Sequence, residues 1–347
     1  MIDLSRWNWT GPKIDPKTNK LYALDTEDLN KAASAKTCVA DQLNFGTDEY
    51  GDYIEFVSES GLPDTGTTEH TTYPRSELRE TTLAGAVKQA NWRPDSKPVH
   101  GLRGILRVME LAHSGKFIFG QFHGETDDPM LKNQGTRIDS DDPSYDPKVE
   151  KFRVYTQHRP IAGGNEKKPP VGPAIAVGQP FFYDFYTTCI GKLVSTVESD
   201  TITSQFDMES YYKKDPAWYR KAGNYSQEKA KGGTGRTVIR YYCLEMYEAL
   251  PSSALPALTK TSAADPVSQP TPATPAQPAA SQTSSPASTL ADQITDAFTA
   301  WQAGTVSSHD TLVALNALSK QVASLTSDKD RAPLYAQINQ YKAQVQK

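Results

Sequence analysis

Apolar positions recur in short, punctuated runs through residues 1–250 of the chain. Gly101–Leu111 (GLRGILRVMEL) is rich in apolar and β-branched side chains, and Phe117–His123 alternates apolar with polar or small positions. Further runs cover Lys151–Thr156, Pro180–Thr188, Lys192–Val197 and Thr237–Tyr247, with Gly, Pro and Asp clusters between them. Successive side chains on a strand point to opposite faces, so runs of this length and pattern predict strands of a layered sheet structure. Many short strands with turn signals and few helical stretches predict an all-β domain, a sandwich or jelly roll.

The pattern changes at residue 251. Residues 251–287 carry a proline every few positions, abundant Ala, Ser and Thr, and no aromatic side chain. Such a segment buries too little apolar surface to offset its ordering entropy, and it reads as a disordered, semi-extended linker. Beyond it a helical period appears: Leu290, Ile294, Phe298 and Trp301; then Leu312, Leu315, Leu318, Val322 and Leu325; then Leu334, Ile338, Tyr341 and Val345. Residues 288–347 are expected to form short amphipathic helices, serving either as a self-contained cap or as a module for self-association or particle docking.

Length and charge narrow the function. At 347 residues the chain fits one large domain plus an appendage. A formal net charge of −4, with no basic stripe, argues against a nucleic-acid partner. Residues 1–250 hold 31 basic and 35 acidic side chains, so an anionic ligand would have to be met by a local cationic cluster. No apolar run approaches the ~18 residues of a membrane span. The N-terminal Met-Ile-Asp-Leu-Ser has neither a basic nor an apolar leader region, so no signal peptide is visible. The expectation is an extracellular protein with its leader trimmed, or a virion-associated one released by lysis. Cys38, Cys189 and Cys243 make no metal pattern and are expected as buried small residues, with room for one disulfide.

Three segments concentrate polar chemistry. In Tyr73–Glu80, Arg75, Glu77 and Arg79 share one strand face while Leu78 takes the other. In Phe119–His123, Gln121 and His123 share a face and Phe122 points away. In Arg220–Gln227, Lys221, Tyr225 and Gln227 align, with Gly223 leaving a gap between them. Each segment alone is ordinary: an Arg-x-Glu-x-Arg strand is often a surface salt-bridge ladder. Together, in one sheet, they would make a cationic polar floor backed by the core.

These segments, ArgSerGluLeuArg (75–79), GlnPheHis (121–123) and TyrArgLysAlaGlyAsnTyrSerGln (219–227), resemble the signature strands of alginate lyases of polysaccharide lyase family seven, and Asp3–Trp7 resembles that family's domain start. The resemblance covers about residues 1–248. It implies a β-jelly roll that cleaves a 1,4-linked uronan by β-elimination, with no cofactor and no obligatory metal. By the same resemblance Arg75 and Gln121 neutralise the uronate carboxylate, His123 is the base and Tyr225 the acid. Glu77, Arg79, Lys221 and Gln227 would then shape the groove that binds the anionic polysaccharide. The middle residue of Gln-x-His is usually Ile or Val and here is Phe122, a position associated with substrate preference, so polyglucuronate stands beside alginate as a substrate. Asp127–Asp146 and Arg159–Gly178 read as local elaborations.

The chemistry suits these residue types. Removing the C5 proton of a uronate builds charge on a carboxylate that is already negative, and preorganised donors there lower the barrier. Arg offers a permanent planar fork, Gln a neutral amide. Histidine, with a reference pKa of about 6.5, is a base near neutrality, and tyrosine a proton donor. The competing readings are a hydrolase, which needs two flanking carboxylates, and a non-catalytic carbohydrate-binding jelly roll. The six histidines show no ligand spacing, and Asp139–Asp142 lacks the Gly and Glu of a calcium loop, so it is expected as a solvated turn.

Overall fold

The computed structural model describes residues 2–253 except 70, 83–91, 94–95, 125–128 and 215–216, together with Leu255, Leu258, Leu290, Ile294, Leu315, Leu318, Val322, Leu334, Ile338 and Tyr341. The described residues form two antiparallel sheets. One runs β10 (Pro170–Ala176), β9 (Lys151–His158), β8 (Leu131–Arg137), β7 (Lys116–Gly124), β14 (Trp218–Ser226), β5 (Arg75–Glu80), β1 (Trp7–Asp15) and β2 (Lys20–Leu24). The other runs β13 (Asp200–Gln205), β12 (Lys192–Val197), β11 (Pro180–Thr188), β6 (Val99–Glu110), β15 (Arg236–Tyr247), β4 (Gly51–Glu59) and β3 (Leu43–Asp48). This is the jelly-roll sandwich the strand pattern predicts. Two short helices, α1 (Thr26–Ser34) and α2 (Met208–Lys214), were not predicted. The first carries a start signal, Asp25, whose side chain accepts from the Asp28 N–H.

The core is an aromatic layer between the sheets. Strict alternation along β11 sends Phe181, Tyr183, Phe185 and Thr187 inward. Phe119 meets Phe181 and Tyr183 at ring distances of 5.7 and 5.1 Å, and Phe122 meets Phe185 at 5.0 Å. Burying each such ring stabilises the fold by roughly 1.5–3 kcal/mol relative to exposure.

The alternation expected over Phe117–His123 breaks. Phe117, Phe119 and Phe122 all lie in the core. The register of β7 against β8 shifts between Ile118 and Gly120, and a Cβ on Gly120 would meet the core side chain Phe185. Two consecutive residues therefore face inward, and this bulge returns Gln121 and His123 to the opposite, open face. Asp127–Asp146 and Arg159–Gly178, expected as local elaborations, contain β8 and β10, which are integral strands of the eight-stranded sheet. The polar sequence of β8 reads as a loop because its outward face is polar and its inward positions include Asn133 and Gly135. Asn133 is nonetheless buried and accepts from Thr156 Oγ1 at 2.9 Å.

Beneath the open face, Arg220 of β14 points inward and pairs with the buried Glu80 of β5 at 2.6 Å. Glu80 also accepts from Trp92 Nε1 and from the Arg220 backbone N–H, both at 2.9 Å. Several donors thus satisfy one buried carboxylate, the condition under which such a charge is tolerated. The cysteines depart from expectation: Cys38 and Cys189 are exposed, Cys243 is half-buried, and all three are free thiols. Cys38 and Cys189 sit in the connections before β3 and after β11, outside the strands that face the core. The solvated turn expected at Asp139–Asp142 is partly pinned, since Asp142 accepts from Arg153 at 3.1 Å.

The chain divides into a first unit, Met1–Pro266, and a second, Val267–Lys347. In the second, Leu290, Ile294, Leu315, Leu318, Val322, Leu334 and Ile338 are helical and buried in a cluster of their own, with Tyr341 packed against it. Phe298, Trp301, Leu312, Leu325, Val345 and nearly all of the expected linker 251–287 lie outside the described residues.

Candidate active site

The three polar segments occupy neighbouring strands. β14 lies between β5 and β7, with Lys221 opposite Arg79 on one side and Gln121 on the other. The same register carries on to Lys132 of β8 and Gln157 of β9, so one polar row crosses five strands. Tyr225 pairs with Arg75 on β5 and with Ile118 on β7, and Tyr219 pairs with His123. Gly223 is required between them. Its φ is +136°, and a Cβ there would stand 2.5 Å from the Ser76 carbonyl oxygen.

Glu77 organises the centre of the floor. One carboxylate oxygen accepts from Gln121 Nε2 at 2.5 Å, and the other accepts from Lys221 Nζ at 2.8 Å. Burial raises the Glu77 carboxyl, but Lys221, Arg75 and the two hydrogen bonds outweigh it, so the group sits below its ordinary value and is ionised. Burial pushes the Lys221 ammonium down, with Glu77 opposing and Arg75 and Arg79 reinforcing. Glu77 and Lys221 are both buried. Expected to shape the groove, they form with the equally buried Gln121 one hydrogen-bonded unit centred on the carboxylate.

Arg75 is differently placed. Its Nη1 stands 3.6 Å from Glu77, beyond hydrogen-bond length, and its Nε is buried with no partner among the described residues. The guanidinium carbon lies 4.1 Å above the Tyr225 ring, a cation–π stack that holds both groups. The Tyr225 hydroxyl shares a hydrogen bond with Thr71 Oγ1 at 2.8 Å, and Thr71 Oγ1 also accepts from the Tyr73 N–H at 3.2 Å. Tyr73 meets the Tyr225 ring edge-on at 6.4 Å. Gln227 lines the same cavity as Tyr225, Thr71, Tyr73, Ile118 and Lys132.

His123 stands at the other end of the motif. Its Nδ1 lies 2.7 Å from the Gly124 carbonyl, which can only accept, so Nδ1 carries the proton and Nε2 is the basic nitrogen. Tyr219 holds the ring as well, with its hydroxyl 3.2 Å from Nδ1 and the rings 5.3 Å apart. Burial first, and then Lys221, push the imidazole down to about 3, so it is neutral near pH 7. Arg79, half-buried, reaches over Tyr219 at 5.8 Å.

The fold thus joins Arg75, Glu77, Gln121, Lys221 and Tyr225 in one connected cluster, while His123 adjoins it through Tyr219 and through the field of Lys221 rather than by a direct bond. Three participants were not singled out from the sequence. Thr71 lies in a loop with no strand pattern. Tyr219 sits inside a recognised segment but was not assigned a role. Lys132 falls on β8, inside the segment expected as a local elaboration. Phe122, between Gln121 and His123, is fully buried against Trp92 and Phe185 and does not reach the open face.

The alginate lyase family profile (Alginate_lyase2) matches residues 2–248. No curated protein sequence matches the chain significantly. Among solved structures, an alginate lyase of Pseudomonas aeruginosa shares 24% identity over 71% of this chain and 100% of its own, with a TM-score of 0.57. The alginate lyase of Klebsiella pneumoniae shares 22% over 72% and 97%, with a TM-score of 0.57. The family 7 alginate lyase A1-II′, solved in complex with product, shares 23% over 72% and 97%, with a TM-score of 0.56. These structural likenesses establish a common fold, and the profile, spanning the whole two-sheet domain, establishes the lineage: this chain belongs to the alginate lyase family and is a polysaccharide lyase acting on a uronate polymer by β-elimination.

Proposed function

We propose that His123 Nε2 takes the C5 proton of a uronate residue and that the Tyr225 hydroxyl protonates the departing O4, with Arg75 and Gln121 holding the carboxylate between them. The C5–H pair moves into a C4=C5 double bond as the C4–O4 bond breaks, so each cut leaves an unsaturated uronate at the new non-reducing end. The observation that carries this reading is the 2.7 Å contact of His123 Nδ1 with the Gly124 carbonyl: a neutral ring that donates there offers Nε2 as a basic nitrogen. Arg75 supports it, because its guanidinium is stacked 4.1 Å from the Tyr225 ring, and a permanent cation near a developing dianion lowers the barrier. Glu77 turns the Gln121 amide and neutralises Lys221, so the clamp is preorganised and not assembled by substrate. A carboxylate held ionised by two cations is a poor general acid, which weighs against hydrolysis.

A second assignment applies to an epimer whose C5 proton faces the other way. Tyr225 pairs with Ile118, five residues along β7 from His123, and so approaches the sugar from a different position. For that polymer Tyr225 would serve as both base and acid.

The test is a panel of polymannuronate, polyguluronate, mixed alginate and polyglucuronate, followed by the ultraviolet absorbance of the conjugated product. Wild type, His123→Ala and Tyr225→Phe are compared. Activity abolished by both substitutions supports the His/Tyr pair; activity on one polymer that survives His123→Ala assigns both proton transfers there to Tyr225. Wild-type activity in Tyr225→Phe would sink both assignments.

A further inference from the structure

The two strands that carry the proposed acid and base are irregular at the same level. β14 holds an extra residue against β7 between Ala222 and Tyr225, and β7 holds one against β8 between Ile118 and Gly120. A bulge takes backbone groups out of the ladder, and buried ones need partners from elsewhere. Here they come from the opposite sheet. Tyr241 of β15 is fully buried; its O–H donates to the Phe119 carbonyl and its oxygen accepts from the Gly223 N–H at 3.1 Å. One hydroxyl thus bonds both bulges. Its ring stands edge-on to Phe56 at 5.5 Å and Tyr183 at 6.4 Å, so the core, not the groove, fixes it. The next residue of the β14 bulge is tied the same way, Asn224 Nδ2 donating to Phe56 O at 3.1 Å and Thr237 O at 2.6 Å.

We infer that Tyr241 is a positioning residue for the elimination, setting the offset between the strand of Tyr225 and the strand of Gln121 and His123. The inference rests on the roles proposed for those three side chains. The physical reason is register. Tyr225 faces Ile118, and Lys221 faces Gln121, only because β14 spends one more residue than β7 between those pairs. A strand that loses its bulge slips by one residue and turns its side chains to the other face. The hydroxyl of Tyr241 is the contact that makes the bulged register the satisfied one. It touches no substrate.

Tyr241→Phe removes one oxygen and keeps the ring. The expected result is a fall in kcat of about 10–100-fold, the scale on which small misplacements of reacting groups are felt, with KM within about twofold of wild type. Asn224→Ser, which frees the same bulge without touching Tyr241, is expected to show the same split and stands in should Tyr241→Phe fail to fold. Leu193→Ala, in the core strand β12 and remote from both bulges, is the control: it lowers the melting temperature while kcat stays at the wild-type level. Wild-type kcat in folded Tyr241→Phe or Asn224→Ser overturns the inference, as does an equal loss of kcat in Leu193→Ala. If His123→Ala and Tyr225→Phe both keep wild-type kcat on every polymer, the proposed roles fall and this inference falls with them, an outcome distinct from the two before it.

Discussion

Glu77 bridges Gln121 and Lys221, one carboxylate oxygen to each, at 2.5 and 2.8 Å. The bridge crosses three strands, and it converts a buried charge pair into a rigid mount for the Gln121 amide, the group proposed to hold the substrate carboxylate. Glu77→Gln leaves the Lys221 ammonium buried without its counter-charge. Breaking a buried pair from one side costs about 3–5 kcal/mol. Denaturant melts of the variant are expected to show a loss on that scale, with kcat reduced in the protein that remains folded.

The same carboxylate predicts an acid limit to stability. Its folded-state pKa lies below the unfolded value, so its contribution is full above the ordinary carboxylate range and disappears as pH falls through the folded value. Thermal melts from neutral to acid pH are expected to show wild type losing more stability than Glu77→Gln, which has no such group to protonate.

His123 predicts an unusual pH–rate profile. With the imidazole pushed down to about 3, the acid limb of kcat/KM for His123-dependent cleavage is not set near the ordinary histidine value of about 6.5. Stability has the matching sign. The unfolded chain binds a proton at this position between those two values and the folded chain does not, so stability contributed by the neutral ring declines as pH drops below the unfolded value. An imidazole NMR titration is the direct check: protonation near 6.5 would contradict the burial of the ring and the field of Lys221.

Tyr225→Phe is expected to lower kcat by about 10²–10⁴-fold, the usual worth of a positioned proton donor. KM should move little, because in the proposed mechanism Arg75 and Gln121 still hold the carboxylate. Thr71→Val removes the partner of the phenol hydroxyl and should reduce kcat less than Tyr225→Phe, measured on the same polymer.

Phe122→Ala tests how the middle residue of Gln-x-His acts. The ring is enclosed by Trp92 and Phe185, so its removal opens a core cavity worth about 3–5 kcal/mol. The expected result is a large drop in the melting temperature. Any change in polymer preference would then come through the backbone of Gln121 and His123, and direct substrate contact by Phe122 is the outcome this packing excludes.

Much of this protein was legible in its sequence because strands have a period of two and turns have a chemistry. β11 and β12 were predicted to the residue, and β6, β7, β9 and β15 to within a few residues. Arg75, Glu77, Gln121, His123, Lys221 and Tyr225 were nameable from three short segments, since side chains two apart on a strand must share a face. The strands β8 and β10 were not legible, because their polar and small residues imitate loops until a neighbouring strand pairs with them.

What only the tertiary structure decided follows from long-range contact. The sequence put Glu77 and Lys221 on the same faces as Arg75 and Tyr225, but whether such a residue meets substrate or supports one that does depends on the strand beside it. Pairing β14 between β5 and β7 buried those two against each other and against Gln121, and set Arg75 over the Tyr225 ring. Local alternation also could not reveal the bulge that sends both Phe119 and Gly120 inward. That break is held by Tyr241, more than a hundred residues away in sequence and on the other sheet. A strand's own residues set the faces it can offer; the strands packed against it set where the alternation is interrupted, and so which way Gln121 and His123 finally point.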